Sequence, residues 1–242
     1  MADLHIHTCL SPCGELTMSP RRIVREARAR HIDFIAVTDH NSAAMTEIVA
    51  EAASEAGLAF LYGLELQTRE EVHLLAYFDE QRPCAEFSDT VYALLPDRPN
   101  EPAYFGDQVW VDIDETILGY EPKLLVNSLD LGFDEAVRLV RAYGGLAVPA
   151  HVDRETYGLI AQLGFVPAGL TFDLVETVSG VLPDGFGTAV PVCSSDAHQP
   201  GHIGRRTTVF EMNECTVEEM VLAARGVDGR TVACCLDERR TK

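Results

Sequence analysis

Asp33-Phe-Ile-Ala-Val-Thr-Asp-His-Asn41 is a fully apolar strand from Asp33 to Asp39 that runs straight into a polar turn carrying His40. Strand ends are where α/β folds place their chemistry. Outward from this stretch the pattern is regular. Before it, ADLHIH is a short strand. Ser19 and Pro20 then open a helix, Ser as N-cap and Pro in the first turn. Ile23, Val24 and Ala27 give that helix part of an apolar face before His31. After it, Ser42 is placed to cap a helix that ends at Gly57. LAFLYGLEL and EVHLLAYF follow as strands, separated by the polar turn QTREE. The rhythm predicts a mostly parallel sheet with helices outside.

Farther along, LPDRPNEPAYFG is rich in proline and glycine and reads as a loop. VWVDIDETILGY reads as a small hairpin or edge strand. The stretch 96–125 is thus expected to be an insertion or lid rather than barrel wall. Alternation then resumes: helix FDEAVRLVRAYG, strand LAVPA, a short helix near Thr156 to Leu163, and strands FDLVETV and AVPVCSSD. Thr216 and Glu219 form a capping box for a last helix, and VACCL is a final strand. No repeat or dividing linker is visible, so residues 1–242 read as a single domain.

The 242 residues are enough for one large core. They are 47% hydrophobic and 24% charged, an ordinary globular balance. No apolar run is long enough for a bilayer and no signal peptide is visible, so the expected location is the cytoplasm. Seven cysteines without small-secreted-domain spacing argue against a disulfide framework. A net charge of −19 repels phosphate backbones. It disfavours a broad nucleic-acid surface but leaves room for a small anionic substrate if cations reverse the sign inside one cleft.

Seven of the eight histidines lie at or beside the ends of apolar runs; His31 stands apart. His5 and His7, two apart on a strand, point to one face and can reach one metal ion. His40 ends VTDH. Asp39 beside it is a ligand or the carboxylate that orients one, unless it and Asn41 are simply turn residues. Glu65 ends an apolar strand, where a carboxylate is costly unless paired or metal-bound; bridging two cations offsets that cost. His73 lies across the turn from it. PAH at 149–151 and SSDAH at 194–198 repeat the pattern, adding His151, Asp196 and His198. Core histidines have no reason to prefer one end of a sheet, so the pattern predicts one multinuclear metal centre. Imidazole plus carboxylate suits Zn, Mn, Fe or Co better than Mg or Ca. Clustered divalent ions acidify water and brace both oxygens of an in-line displacement, which points to hydrolysis of a phosphate ester by a metal-activated hydroxide.

In this order, DLHIHT, VTDH, the Glu65–His73 pair, PAH and SDAH resemble the PHP (polymerase and histidinol phosphatase) superfamily, over nearly the whole chain. The resemblance implies an α/β fold, a distorted, TIM-like (β/α)7 barrel with its metal centre at the C-terminal ends of the strands. It implies two or three divalent transition-metal ions, Zn, Mn or Fe. Carried over residue by residue, His5, His7, Glu65 and Asp196 hold one ion; Glu65, His73 and His151 hold a second, with Glu65 bridging; His40 and His198 hold a third. One position departs. The loop residue six after the second histidine is often His or Asp in the family, and here it is Cys13. A thiolate is a good zinc ligand. Two outcomes are open: Cys13 completes the third site, or the working centre is dinuclear.

Arg154, Arg205 and Arg206 are candidate phosphate clamps, since a planar fork matches phosphate oxygens; surface arginine is the alternative. Asp39, Arg154 and Arg205 are the catalytic candidates. His202, in a Gly/Pro loop beyond the matched motif, is not a ligand and is a candidate proton donor to the leaving group. Cys9 is left unassigned, and Cys84, Cys193, Cys215, Cys234 and Cys235 read as buried or incidental thiols. The expected function is a metal-dependent phosphoesterase acting on a small phosphate ester, with a nucleotide or short oligonucleotide preferred. Histidinol phosphate, or a non-catalytic metal-binding module, stays open.

Overall fold

The computed structural model describes residues 1–236. In chain order the elements are β1 (Ala2–Asp3), α1 (Pro20–Ala29), β2 (Phe34–Ala36), α2 (Thr46–Glu55), β3 (Ala59–Gln67) and β4 (His73–Phe78). Next come α3 (Gln81–Leu94), α4 (Pro102–Phe105), β5 (Val109–Val111), β6 (Ile117–Tyr120), α5 (Phe133–Ala142) and β7 (Leu146–Pro149). The last are α6 (Leu159–Leu163), β8 (Leu174–Glu176), β9 (Val190–Val192), β10 (Arg206–Glu211), α7 (Val217–Ala224) and β11 (Thr231–Leu236). No helix among the described residues is long and apolar enough to cross a membrane.

Among the described residues the main sheet has seven strands, ordered β11-β10-β1-β2-β3-β4-β7. β1, β2 and β3 run parallel, as the crossover helices α1 and α2 require. The other neighbours are antiparallel, so the expected mostly parallel sheet is corrected. QTREE is far too short for a crossover; β3 and β4 therefore form a hairpin in which Gln67 faces His73. β8 and β9 pair in parallel and pack beside the edge strands β7 and β11. The sheet curls into a half-barrel that this ribbon continues, a distorted α/β barrel of the kind the strand-end motifs imply.

The helices follow their apolar faces. Ile23, Val24 and Ala27 of α1 pack with Ile35, Val37, Val49, Ala52 and Ala53. α2 starts at Thr46, four residues later than Ser42, whose hydroxyl accepts the Ala44 amide in a preceding turn (3.2 Å). α3 has no counterpart in the sequence reading, yet Cys84, Phe87 and Val91 lie on one face, fully buried. At α7 the Thr216 hydroxyl accepts the Glu219 amide (3.2 Å), but the Glu219 carboxylate turns to Asn213 and Arg230 instead of closing the box. Phe34, in one core cluster, and Phe78, Phe87 and Phe133, in another, are fully buried, each worth about 1.5–3 kcal/mol of burial.

β5 and β6 form the small hairpin expected in the 96–125 stretch. The stretch is docked, not loose. Val109, Val111 and Leu125 enter the main core. The Val109 amide donates to the Cys9 carbonyl (3.0 Å). Gly106, at φ +103°, approaches so closely that a Cβ there would lie 2.1 Å from the Pro12 carbonyl; only glycine fits. Residues 102–106 are thereby pinned to the loop that carries Cys13.

Candidate metal centre

The strand ends converge on Glu65, which is 1% exposed at the C-terminal part of β3. Its Oε1 faces His73 Nδ1 at 2.8 Å, His151 Nε2 at 3.2 Å and His5 Nε2 at 3.3 Å. Its Oε2 faces His40 Nδ1 at 3.0 Å and His7 Nε2 at 3.5 Å. Asp196 Oδ1 closes the group at 3.3 Å from His7 Nε2 and 3.5 Å from His5 Nε2. At the rim, ligand atoms of His7, Cys13, His40 and His198 lie within 4.8 Å of one another, as do those of His5, His7 and Glu65 and those of His40, Glu65 and His73. One cleft of about 370 Å³ thus reaches Cys13, His40, Glu65, His73, His151, Asp196 and His198. A larger cavity, about 530 Å³, lies between α1 and the β5–β6 hairpin beside Arg21, Arg22 and Arg25 and reaches none of these ligands.

The backbone is bent to present them. His151 (φ 29°), Asp196 (φ 49°) and Asn41 (φ 50°) all occupy the left-handed region, where each costs on the order of 1–3 kcal/mol. The Asn41 side chain holds its turn by donating to the carbonyls of Leu125 (2.7 Å) and Asn127 (2.9 Å) while accepting the Gln67 amide (3.0 Å).

Partners behind the rings decide which nitrogen faces the centre. Ser11 donates its one hydroxyl proton to Asp39 (2.6 Å) and so accepts from His7 Nδ1 (3.1 Å). His7 therefore turns a bare Nε2 inward. Gln67, whose amide nitrogen donates to Ser128, offers its carbonyl to His73 Nε2 (3.2 Å), so His73 turns a bare Nδ1 inward. Glu176 accepts from His5 Nδ1 (3.0 Å) and from the His151 amide (3.0 Å). His198 Nδ1 donates to the Asp196 carbonyl (2.9 Å).

Electrostatics agree. Burial, with His198 and His40 nearby, holds His7 well below the ordinary imidazole range. Burial also brings His73 down to about 4 against the pull of Glu65. For His5, burial is outweighed by Glu176, Glu65 and Asp196, and its pKa rises. The same holds for His40, which Cys13 and Glu65 raise. Burial disfavours ionised Glu65 and Asp196, yet the surrounding imidazoles hold both far down. Burial would push the Cys13 thiol up, but His40 and His198 bring it to about 6.

The donor set fits divalent cations. His7 and His73 are neutral acceptors aimed at carboxylate acceptors. His5 Nε2, His7 Nε2, His40 Nδ1 and Glu65 Oε2 are buried without a hydrogen-bond partner. Acceptors packed against acceptors are costly unless a cation lies between them.

Of the catalytic candidates, Arg154 lines the cleft, its Nη1 2.6 Å from Asp196 Oδ2. Asp39 lies behind the centre, where its oxygens accept the Thr8 amide (2.7 Å), the Thr8 hydroxyl (2.6 Å) and Ser11; it meets His7 through Ser11. Arg205 braces the turn beneath Asp196 by donating to the carbonyls of Ser195 (2.6 Å) and Asp196 (3.2 Å), and Arg206 donates to Ser194 and Ser195. His202 contacts Gln199. Sequence reasoning missed Glu176, Ser11, Gln67 and Tyr157. Tyr157 stacks on His73 with centroids 4.4 Å apart and planes within 9°.

Residues 3–160 match the model of the PHP domain. The chain belongs to the PHP domain family. An uncharacterized protein of Methanocaldococcus jannaschii is 30% identical over 90 residues, 34% of this chain and 53% of that protein. The lesion-specific endonuclease PfuEndoQ from Pyrococcus furiosus superimposes with a TM-score of 0.72 at 19% identity, covering 96% of this chain and 57% of that one. A structure from Bifidobacterium adolescentis assigned as a metal-dependent phosphoesterase gives 0.54 at 21% identity, covering 83% and 88%. At such identities the likeness is one of fold. This PHP domain spans little more than half the length of the first two relatives.

Proposed function

We propose that this PHP domain is a metal-dependent phosphoesterase acting on a small phosphate ester, a nucleotide or short oligonucleotide. The observation that carries the reading is the convergence of buried atoms without a hydrogen-bond partner, His5 Nε2, His7 Nε2, His40 Nδ1 and Glu65 Oε2, at a cleft lined by His40 and Glu65. His5, His7, Glu65 and Asp196 would hold one ion; Glu65, His73 and His151 a second; Cys13, His40 and His198 a third. When bound, two or three divalent ions, Zn, Mn or Fe, supply acidified water and neutralise charge that develops on a phosphoryl group.

The chain's own residues do the rest. Glu65 would be shared between ions, since its Oε1 faces His73, His151 and His5 and its Oε2 faces His40 and His7. Ser11, Gln67 and Glu176 fix the rings so that no reorientation is needed. Arg154 presents a planar fork at the cleft wall, where it can take two phosphoryl oxygens. Asp39, acting through Ser11, and Arg205, acting through the Asp196 turn, are positioning residues. The net charge of −19 favours a small ester over a long polyanion, although a structural neighbour is a lesion-specific endonuclease.

The test is metal analysis of the purified chain together with hydrolysis of an aryl phosphate by Mn- or Zn-loaded protein. At least two ions per chain, and turnover lost in His5→Ala, are expected. No turnover with any metal, wild type and variant alike, sinks the reading, and tightly bound ions without turnover mark a non-catalytic module. A panel of nucleoside monophosphates, histidinol phosphate and short single strands then ranks substrates. Long duplex DNA as the best substrate overturns the small-ester assignment.

A further inference from the structure

Beyond its ligands, the cleft is walled by flat and apolar side chains, Tyr104, Phe105, Tyr157 and Val126, and among the described residues its one arginine is Arg154. Tyr104 is 80% exposed. No packing requirement keeps a large aromatic there, yet Gly106 pins its short helix α4 against Pro12 at the mouth of the centre. Phe105 supports it edge-on, with centroids 4.6 Å apart.

Tyr157 lines the same cleft. One face of its ring lies flat on the His73 imidazole. Its backbone carbonyl accepts the His73 amide (3.0 Å). Its φ of 60° is costly for a bulky residue. The chain is wound so tightly that a Cβ on Gly158 would lie 2.3 Å from the Arg154 carbonyl. A strained loop thus delivers a ligand, a cation and an aromatic face, His151, Arg154 and Tyr157, to one cleft. A phosphoryl group drawn to the ligands and Arg154 leaves the remainder of its ester in a cleft lined by Tyr104 and Tyr157. That remainder is best uncharged and planar.

We infer that Tyr104 and Tyr157 are specificity-determining residues that hold the nucleobase of a phosphate ester by stacking. The inference rests on the phosphoesterase reading and deepens it by naming the residues that recognise the nucleoside part of the ester. Base-on-aromatic stacking tolerates any base and is worth about tenfold to a hundredfold in affinity. The cleft therefore selects a base without selecting which one.

The experiment is equilibrium titration of metal-loaded protein with two non-hydrolysable methylenephosphonates, the analogue of adenosine 5′-monophosphate and that of ribose 5-phosphate. Wild type binds the base-bearing analogue at least about tenfold tighter. In Tyr104→Ala the ratio falls toward one, and in the Tyr104→Ala, Tyr157→Leu double variant it reaches one. Tyr104→Phe, which keeps the ring, restores the ratio. Equal affinity of wild type for the two analogues, or a preference that survives in the double variant, overturns the inference while leaving the phosphoesterase reading intact. Failure to bind either analogue removes both.

Discussion

The centre has an inner and an outer part, built differently. Inner ligands sit at strand ends and are buried: His5 and His7 fully, with Glu65 and His151 nearly so. Each braced ring there leans on a side chain, His5 on the distant Glu176, His7 on Ser11 four residues along, and His73 on Gln67 across the β3–β4 hairpin. The outer part is looser. Cys13 belongs to an exposed loop position, and His198 is held by the backbone of its own neighbour Asp196. Buried rings clamped from behind lose little freedom when a cation arrives; a thiol on a rim loop loses more. The inner pair should therefore be tight and the outer ion exchangeable.

Glu65→Ala breaks this contrast most severely. Five imidazoles converge on that carboxylate, so its loss should empty both inner positions and cut turnover by more than the roughly 100-fold typical of losing a supporting partner. Metal content by plasma emission spectroscopy and the aryl phosphate assay read it; a variant that keeps two ions contradicts the bridging role. Glu176→Gln comes next. It keeps shape but weakens the acceptor behind His5 and the His151 amide, so metal affinity should fall about 10- to 100-fold with the fold unchanged by circular dichroism. Affinity equal to wild type would show that Glu176 only fills space. Cys13→Ser is smaller still. It should lower stoichiometry by one ion and leave the inner pair in place; two ions in both wild type and variant make the working centre dinuclear, and three in both show that Cys13 is not a ligand.

The same contrast explains what could be read from the chain. A polar ligand closing an apolar run is conspicuous, so the strand-end set around Glu65 stands out. Glu176 gave a similar signal, ending the apolar Leu174-Val175, but no histidine stands beside it in sequence to point to it. Ser11 and Gln67 carry no signal, because serine in a turn and glutamine at a strand end are ordinary; only the fold shows which rings they meet. Parallel pairing was overestimated because the apolar composition of EVHLLAYF says nothing of direction, although the shortness of QTREE does. α3 escaped notice behind Pro83 and a polar first turn, despite the helical spacing of Cys84, Phe87 and Val91. The docking of residues 102–106 depends on a backbone contact between Gly106 and Pro12, far apart in sequence.

The mildest test leaves the ligand set whole and reads the outer part through Cys13 itself. Burial raises the thiol while His40 and His198 lower it, to about 6 on balance. The thiolate is the reactive form. In chelator-treated protein, alkylation of Cys13 by iodoacetamide should therefore rise with pH around a midpoint near 6 and level off by about pH 7. Exposed Cys215, whose thiol burial pushes up, should still be accelerating there. Peptide mapping separates the two sites. Because the thiolate is also the metal-binding form, zinc should suppress Cys13 labelling above the midpoint and lose that protection as pH falls through it, when the thiol and the neighbouring imidazoles take up protons. A Cys13 midpoint near the ordinary thiol value, with no protection by zinc, would place the sulfur outside the field of His40 and His198 and reduce the centre to its inner pair.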